Sequence, residues 1–521
     1  MKKIELYDTT LRDGAQGEMI SFTLEDKLKI AARLDQFCVD YIEGGWPGSN
    51  PKDAAFFQRV ARQRFSHSRI VAFGSTRRKG VPVERDGNLA CLLESGTEYL
   101  AIFGKSWDLH VQKVLRATLE ENLVLIRDSV AFLKSKGKTV FFDAEHFFDG
   151  YASNPAYALA TIQAAVEAGA DRVVLCDTNG GCLPGKVQEA VSTVMKRFRV
   201  PVGIHTHNDS GLAVANALAA VEAGADHVQG TINGLGERCG NADLTTLVPL
   251  LQLKMGCQCV PRESMRNLTN LSRYVYEIAN MVPPGSQPFV GLSAFTHKGG
   301  VHVDAVGKDP KTYEHVRPEE VGNQRKILVS ELSGKSTVLQ KMRAYGLEAK
   351  PEVTKKILEM VASLEKDGYQ FEAAEGSFEL LVRRTLGVYT RPFAVEGFRV
   401  IVEERGTRVV SEATVKVRVG PRAEHTAAEG NGPVNALDNA LRKALAGFFP
   451  EIRHLRLVDY KVRILHPEKA TGAMTRVLIE STDEKDVWGT VGLSDNIIEA
   501  SWKALLDSVE FKILKDRSAR A

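Results

Sequence analysis

Between residue 1 and about residue 260 the chain repeats one pattern: a short apolar run, then a longer amphipathic one. The strand-like runs are Ile4–Asp8, Tyr41–Trp46, Ile70–Gly74, Tyr99–Phe103, Val140–Glu145, Val173–Asp177, Val202–His207 and His227–Ile232. Between them lie helical patterns such as Leu24–Phe37, Ala156–Ala168, Lys186–Arg199 and Leu212–Ala223. A helix between successive strands returns the chain to the same edge, so the strands must run parallel and be covered by helices. Eight such units predict a closed (β/α)8 barrel. An open doubly wound sheet is the alternative, but no G-x-G-x-x-G follows the first strand.

Local signals agree. Thr23 precedes Leu24-Glu-Asp26 and is a fitting N-cap with acids in the first turn. Val166-Glu-Ala-Gly-Ala-Asp171 recurs as Val221-Glu-Ala-Gly-Ala-Asp226. Each copy reads as a helix end, a left-handed glycine cap and the next strand. The pattern stays helical from Arg262 to Met281 and breaks at Val282-Pro-Pro-Gly-Ser-Gln-Pro288. The expected organisation is a catalytic barrel over 1–285, a helical linker subdomain over 286–375 and a C-terminal α+β regulatory domain over 376–521. In the last, Phe378–Val382, Phe398–Val402, Ala413–Val419 and Tyr460–Ile464 read as strands, and Asn435–Leu445 and Ile497–Leu506 as helices of a repeated βββα unit.

Composition removes several function classes. The net charge of +3 is small and no basic stripe stands out, so nucleic acid is not an expected partner. No apolar run approaches the roughly 20 residues that span a bilayer. Met1-Lys-Lys-Ile-Glu-Leu6 enters a strand-like run with no apolar signal segment. The seven cysteines are odd in number and form no C-x-x-C. That suits reduced thiols in a cytoplasmic protein. Cys257 and Cys259 have no second ligand pair nearby and read as small packed residues.

In such a barrel the reactive groups sit at the C-terminal ends of the strands. There this sequence places Asp8-Thr-Thr-Leu-Arg-Asp-Gly14, Asp143-Ala-Glu-His146, Cys176-Asp-Thr-Asn179, His205-Thr-His-Asn-Asp209 and Asn233–Asn241. His205 and His207, two apart on a strand, point to one face. Two imidazoles with the carboxylate of Asp13 suit a divalent metal that keeps positions open for substrate. A hydrogen-bonded core pair is the other reading of H-x-H. Asp13 equally fits a turn residue, and Arg12–Asp13 a buried ion pair, although sequence neighbours seldom pair well. Glu145 reads as a loop cap or as the group that orients Arg12.

With Gly234-Leu-Gly-Glu-Arg-Cys-Gly-Asn241 and His297-Lys-Gly-Gly-Val-His302, these motifs resemble the isopropylmalate synthase family, which includes homocitrate and citramalate synthases. The resemblance covers nearly the whole chain. Gly44-Gly-Trp-Pro-Gly-Ser-Asn-Pro51 is similar to the citramalate branch, where isopropylmalate synthases carry an Ala-Gly-Phe-Pro-like version. It implies Asp13, His205, His207 and Asn241 as metal ligands and Arg12 beside the keto oxygen. It implies Glu145 as an acid organising the site and Thr178 as a hydroxyl for the substrate carboxylate. His302 and Tyr313 match residues that a neighbouring subunit places over the acetyl-CoA end. Asp143 departs from the pattern, standing where a less charged residue is expected.

The chemistry so implied is an acyltransferase reaction, a metal-assisted Claisen condensation of acetyl-CoA with pyruvate and water to (R)-citramalate and CoA in isoleucine biosynthesis. Negative charge develops on the former keto oxygen, where Arg12 would stabilise it. His302, through water and with Glu145, is the candidate base. The metal is Zn, Mn, Co or Mg. Isoleucine is the expected effector of the C-terminal domain, and a homodimer the expected assembly. The alternatives are 2-isopropylmalate synthase with 2-oxoisovalerate, then homocitrate synthase. From other classes come a metal-dependent acyl-CoA lyase and a non-catalytic amino-acid sensor. The long C-terminal domain argues against the lyase, and the intact Arg12, Asp13, His205 and His207 against the sensor.

Overall fold

The computed structural model describes residues 2–328, 341–342, 345–347, 351–406, 408–465, 472–483 and 485–518. Parts of the expected linker subdomain, 329–340, 343–344 and 348–350, lie outside the described residues. The chain forms two compact units, one of residues 1–295 with 316–324 and one of residues 296–315 with 325–521.

The first unit is the expected barrel. Its strands are β1 (Glu5–Asp8), β2 (Tyr41–Gly45), β3 (Arg69–Ser75), β4 (Tyr99–Lys105), β5 (Thr139–Glu145), β6 (Arg172–Asp177), β7 (Val202–Thr206) and β8 (His227–Gly230). They close in sequence order, and β1 pairs parallel to both β2 and β8. The helix Leu24–Phe37 opens with a capping box. The Thr23 hydroxyl accepts from Asp26 N at 3.2 Å and the Asp26 carboxylate accepts from Thr23 N at 2.9 Å. Such a cap contributes about 1 kcal/mol. This helix buries Ile30, Ala31, Leu34 and Phe37 against the strands. In the two repeat copies Gly169 (φ +93°) and Gly224 (φ +122°) make the positive-φ turn that ends each helix. The expected helix over 262–281 is split in two, Arg262–Met265 and Leu268–Ile278.

Inside the barrel, aromatic rings fill the N-terminal end. Tyr7, Tyr41, Phe141 and His227 stand with ring centroids 5.2 to 6.4 Å apart. Beside this layer Arg172 donates to Glu5 at 2.6 Å and pairs with Asp226. The floor is therefore solid, and the polar strand ends open only towards the C-terminal face.

The second unit holds a short parallel pair, β9 (Thr296–His297) and β10 (Lys326–Ile327), and the helices Gly300–Lys308, Pro351–Asp367 and Glu375–Thr385. Then come two antiparallel βββα repeats. In the first, β11 (Ala394–Arg405), β12 (Arg408–Val419) and β13 (Arg422–Gly430) precede the helix Pro433–Leu445. In the second, β14 (Arg456–Leu465), β15 (Met474–Thr482) and β16 (Val487–Ser494) precede the helix Ile497–Ser518. Ala436, Leu437, Ala440, Leu441 and Leu445 pack on the inward side chains Ala413, Val415 and Val417. The expected strand Phe378–Val382 is instead part of the helix Glu375–Thr385. Phe378, Leu380 and Val382 are buried in turn, as in a strand, but Gly376 and Ser377 are buried beside Phe378, so the alternation does not extend through the segment.

All seven cysteines are free, and Cys257 and Cys259 are buried. Among the described residues no helix is long and apolar enough to cross a membrane.

Candidate active site

β7 carries His205 inward, and His207 follows one residue beyond the strand with the same parity. Their Nε2 atoms lie 3.2 Å apart, and Asp13 Oδ2 stands 3.5 Å from the first and 3.8 Å from the second. The other ring nitrogen of His205 meets Gln229 Oε1 at 3.0 Å. That contact assigns the proton to Nδ1 and leaves Nε2 with its lone pair facing Asp13 and His207. Three electron-rich atoms thus converge in a site where each side chain is less than one-tenth exposed. Burial opposes the charge of Asp13, yet Arg12 and His205 hold its carboxyl well below the usual carboxylate range. Burial also opposes a proton on His205, but Asp13 pushes its pKa up. Burial and the charge of His205 push His207 down to about 4.

Asn241 lies beside His207, on the loop after β8. It forms an isolated antiparallel bridge with His207, and its amide nitrogen donates to Leu235 O at 3.1 Å. Asp13 Oδ1, His207 Nδ1 and Asn241 Oδ1 are buried with no hydrogen-bond partner. Unpaired buried groups of this kind cost about 1–3 kcal/mol each.

Arg12 lines the site beside Asp13. Its Nη1 donates to Asp13 Oδ2 at 3.0 Å, so the two sequence neighbours do pair, and its Nε donates to Glu43 Oε2 at 2.5 Å. Its guanidinium carbon lies 3.9 Å from the centre of the Phe73 ring. Glu43 is fully buried and also accepts from Tyr7 (2.6 Å) and Thr9 (2.5 Å). Glu43 is therefore the group that orients Arg12; Glu145 pairs with Lys105.

Sequence comparison supplies the family. Residues 3–277 match the HMGL-like family, 289–368 the homocitrate synthase post-HMGL domain-like family and 372–513 the LeuA allosteric (dimerisation) domain. The (R)-citramalate synthase of Geobacter sulfurreducens is 55% identical over 99% of this chain and 98% of its own length. That of Aquifex aeolicus is 53% identical, with 99% and 98% covered. That of Sulfolobus acidocaldarius is 46% identical, again with 99% and 98% covered. The chain belongs to the (R)-citramalate synthase family.

The donor set fits the divalent metal on which HMGL-like enzymes depend. Asp13, His205 and His207 form a group able to hold a metal ion. An ion bound at about 2.1 Å would hold its ligand atoms about 3.0 to 3.4 Å apart. The Nε2 pair already has that spacing, and Asp13 is within a few tenths of an ångström of it. Asp13 Oδ1 and Asn241 Oδ1 are buried acceptors without a partner, the latter on the residue whose backbone bridges to His207.

The remaining expected residues fall in two groups. Thr178 lies just past β6, where its hydroxyl accepts from His146 N at 2.9 Å. His302 and Tyr313 belong to the second unit and stack on each other, with ring centroids 4.1 Å apart. Beside them Glu314 is buried and accepts from His297 (3.2 Å) and Arg325 (2.5 Å).

Glu43, Lys105, Gln229 and Arg238 were not singled out from the sequence. Glu43 had a legible signal: a lone acid in the strand run Tyr41–Gly45, with the inward parity of Tyr41. Lys105 lies just beyond the strand end expected at Phe103. Asp143 is buried with one carboxylate oxygen unpartnered, and burial with the nearby charge of Glu43 raises its pKa to about 7.

Proposed function

We propose that the chain is an (R)-citramalate synthase, condensing acetyl-CoA with pyruvate and water to give (R)-citramalate and CoA. The observation that carries this reading is the set of buried Asp13, His205 and His207 with the partly buried Arg12 at the barrel mouth. Asp13, His205, His207 and Asn241 would hold the divalent metal, with Zn, Mn, Co and Mg all compatible with nitrogen and oxygen ligands. Bound there, it supplies a Lewis acid for a 2-oxo acid.

The chain's own residues account for the rest. Arg12, held by Glu43, presents its guanidinium to the oxygen that gains charge as the new C–C bond forms. Thr178 offers a hydroxyl to the substrate carboxylate. On the family resemblance, the His302 and Tyr313 of a neighbouring subunit would cover the acetyl-CoA end, where that histidine would take the proton from the acetyl methyl group. The resulting enolate carbon attacks the keto carbon. Water then cleaves the thioester, giving a carboxylate and the CoA thiol. Phe73 stacks on Arg12 and on Phe103, and Trp46 meets both rings edge-on. This aromatic bulk favours the methyl group of pyruvate over a branched side chain.

The second unit supports regulation. A cavity of about 660 Å³ is lined by Val434, Asp438, Arg442, Leu457, Tyr460 and Leu505, within the stretch that matches the LeuA allosteric domain. Charged and apolar walls together suit a free amino acid, and isoleucine is the proposed effector. A homodimer and a cytoplasmic location belong to the same reading.

The test is thiol release across 2-oxo acids of increasing chain length, repeated with isoleucine and with leucine. Pyruvate should be preferred and isoleucine should inhibit. Faster release with 2-oxoisovalerate would reassign the chain as a 2-isopropylmalate synthase, the name borne by a relative 32% identical to it.

A further inference from the structure

The loops after β6, β7 and β8 carry Thr178, His207 and Asn241, and they meet on one side chain that has no part in the reaction as proposed above. Arg238 lies in the glycine-rich segment after β8. Its Nε donates to Asp209 Oδ1 at 2.8 Å, and its Nη2 donates both to Asp209 Oδ2 at 2.9 Å and to the Thr178 carbonyl at 2.7 Å. One guanidinium therefore ties the loop bearing Asn241 to the loops bearing His207 and Thr178. Only a planar fork reaches two carboxylate oxygens and a carbonyl at once; a lysine ammonium is a point donor.

Two further observations point the same way. Arg238 has φ +56°, a left-handed conformation uncommon for a side-chain-bearing residue. Its loop takes that form while Asn208 N donates to Gly240 O and Ala242 N to Thr206 O, contacts that brace the backbone on either side of Asn241. On the facing loop, Gly180 has φ +62°, and a Cβ there would stand 2.5 Å from Asp209 Oδ2. The close approach of Asp209 thus depends on a residue without a side chain.

We propose that Arg238, through Asp209 and the Thr178 carbonyl, is a positioning residue that sets the substrate-carboxylate hydroxyl and the metal ligands at a fixed mutual distance. The reading rests on the proposed function for its substrate, but not for its effect on the metal-binding loop. Arg238→Lys keeps the charge and removes the fork. Arg238→Gly removes the fork and suits the positive φ, so it separates the clamp from the backbone strain.

Three measurements test it. The first is hydrogen exchange of residues 234–241 in the metal-free protein, expected to speed up in both variants while the rest of the barrel is unchanged. The second is titration with Zn²⁺, expected to weaken by roughly tenfold, the scale of one charge-assisted contact. The third is the kinetic split: the KM for the 2-oxo acid should rise by about tenfold, with the KM for acetyl-CoA unmoved. Asp209→Asn should add little to either variant, because the pair acts as a unit. Unchanged exchange, Zn²⁺ affinity and 2-oxo acid KM in Arg238→Gly would overturn the proposal. A wild-type enzyme inactive with every 2-oxo acid would instead remove the substrate assignment, and the first two measurements would still decide the clamp.

Discussion

Glu43→Gln is the change that most directly probes how Arg12 is held. The carboxylate is fully buried and accepts from Tyr7, Thr9 and Arg12 at 2.5 to 2.6 Å. Glutamine keeps the shape but offers one acceptor oxygen where there were two. The tyrosine hydroxyl can reverse and accept from the new amide, so the oxygen stays with Arg12 and Thr9. What is lost is the charge on that oxygen. A bond to a charged group contributes about 1.5–3 kcal/mol, against about 1 for a neutral one. Asp13 still pairs with Arg12, so the expected loss of stability is about 2 kcal/mol rather than the 3–5 typical of an orphaned buried ion. The kinetic cost is larger in consequence. Arg12 is freed on its Nε side, and Thr9, whose hydroxyl accepts from Asp13 N at 3.3 Å, loses its own charged acceptor. Loosening a donor that faces developing oxyanion charge lowers kcat by about 10²-fold. Thiol release at saturating acetyl-CoA and pyruvate measures this, alongside urea unfolding. Tyr7→Phe is the control, since it removes a donor to Glu43 without touching Arg12. A Glu43→Gln enzyme that is destabilised but keeps kcat within about threefold would refute the positioning of Arg12 by Glu43.

Three further outcomes are expected. Asn241→Ala should weaken metal retention by roughly tenfold in chelator competition while leaving the fold intact, because it removes an acceptor oxygen and a short contact to Leu235. Burial and the charge of Arg172 lower His227 to about 4. Its contribution is therefore full above the unfolded value of about 6.5 and is lost as pH falls towards 4, by up to about 3 kcal/mol; urea titrations at pH 7 and 4.5 should show a smaller drop in His227→Gln than in the wild type. Asp53→Ala should destabilise by about 3–5 kcal/mol, since it strands buried Lys27 and removes the acceptor of Trp46 N, whereas Lys27→Met with Asp53→Leu should recover much of that loss in thermal unfolding.

Much of the site was legible because a strand has a two-residue period. That period alone puts His205 and His207 on one face, and the alternation of strand with helix puts that face at the barrel mouth. Glu43 obeys the same rule, yet an acid inside an apolar run carries no mark of its three donors. Arg238 was harder still. Its partners lie 29 and 60 residues away in sequence, on loops whose approach depends on strand order. Phe378–Val382 failed for a different reason: Phe378, Leu380 and Val382 are buried in turn even within the helix Glu375–Thr385, and five residues are too few to separate a period of 2 from one of 3.6.

From sequence alone come the parallel barrel, the two βββα repeats and the inward histidines, because each depends on periodicity and handedness within a short stretch of chain. Only the tertiary structure decides that Arg12 leans on Glu43 rather than Glu145, that Asp13 comes within 3.8 Å of both imidazoles, and that one arginine joins three loops. Those contacts arise where strand ends converge: β1 beside β2 for Arg12 and Glu43, the ends of β6 to β8 for Arg238, and the closing of β1 on β8, more than 200 residues away, for Asp13 and the imidazoles.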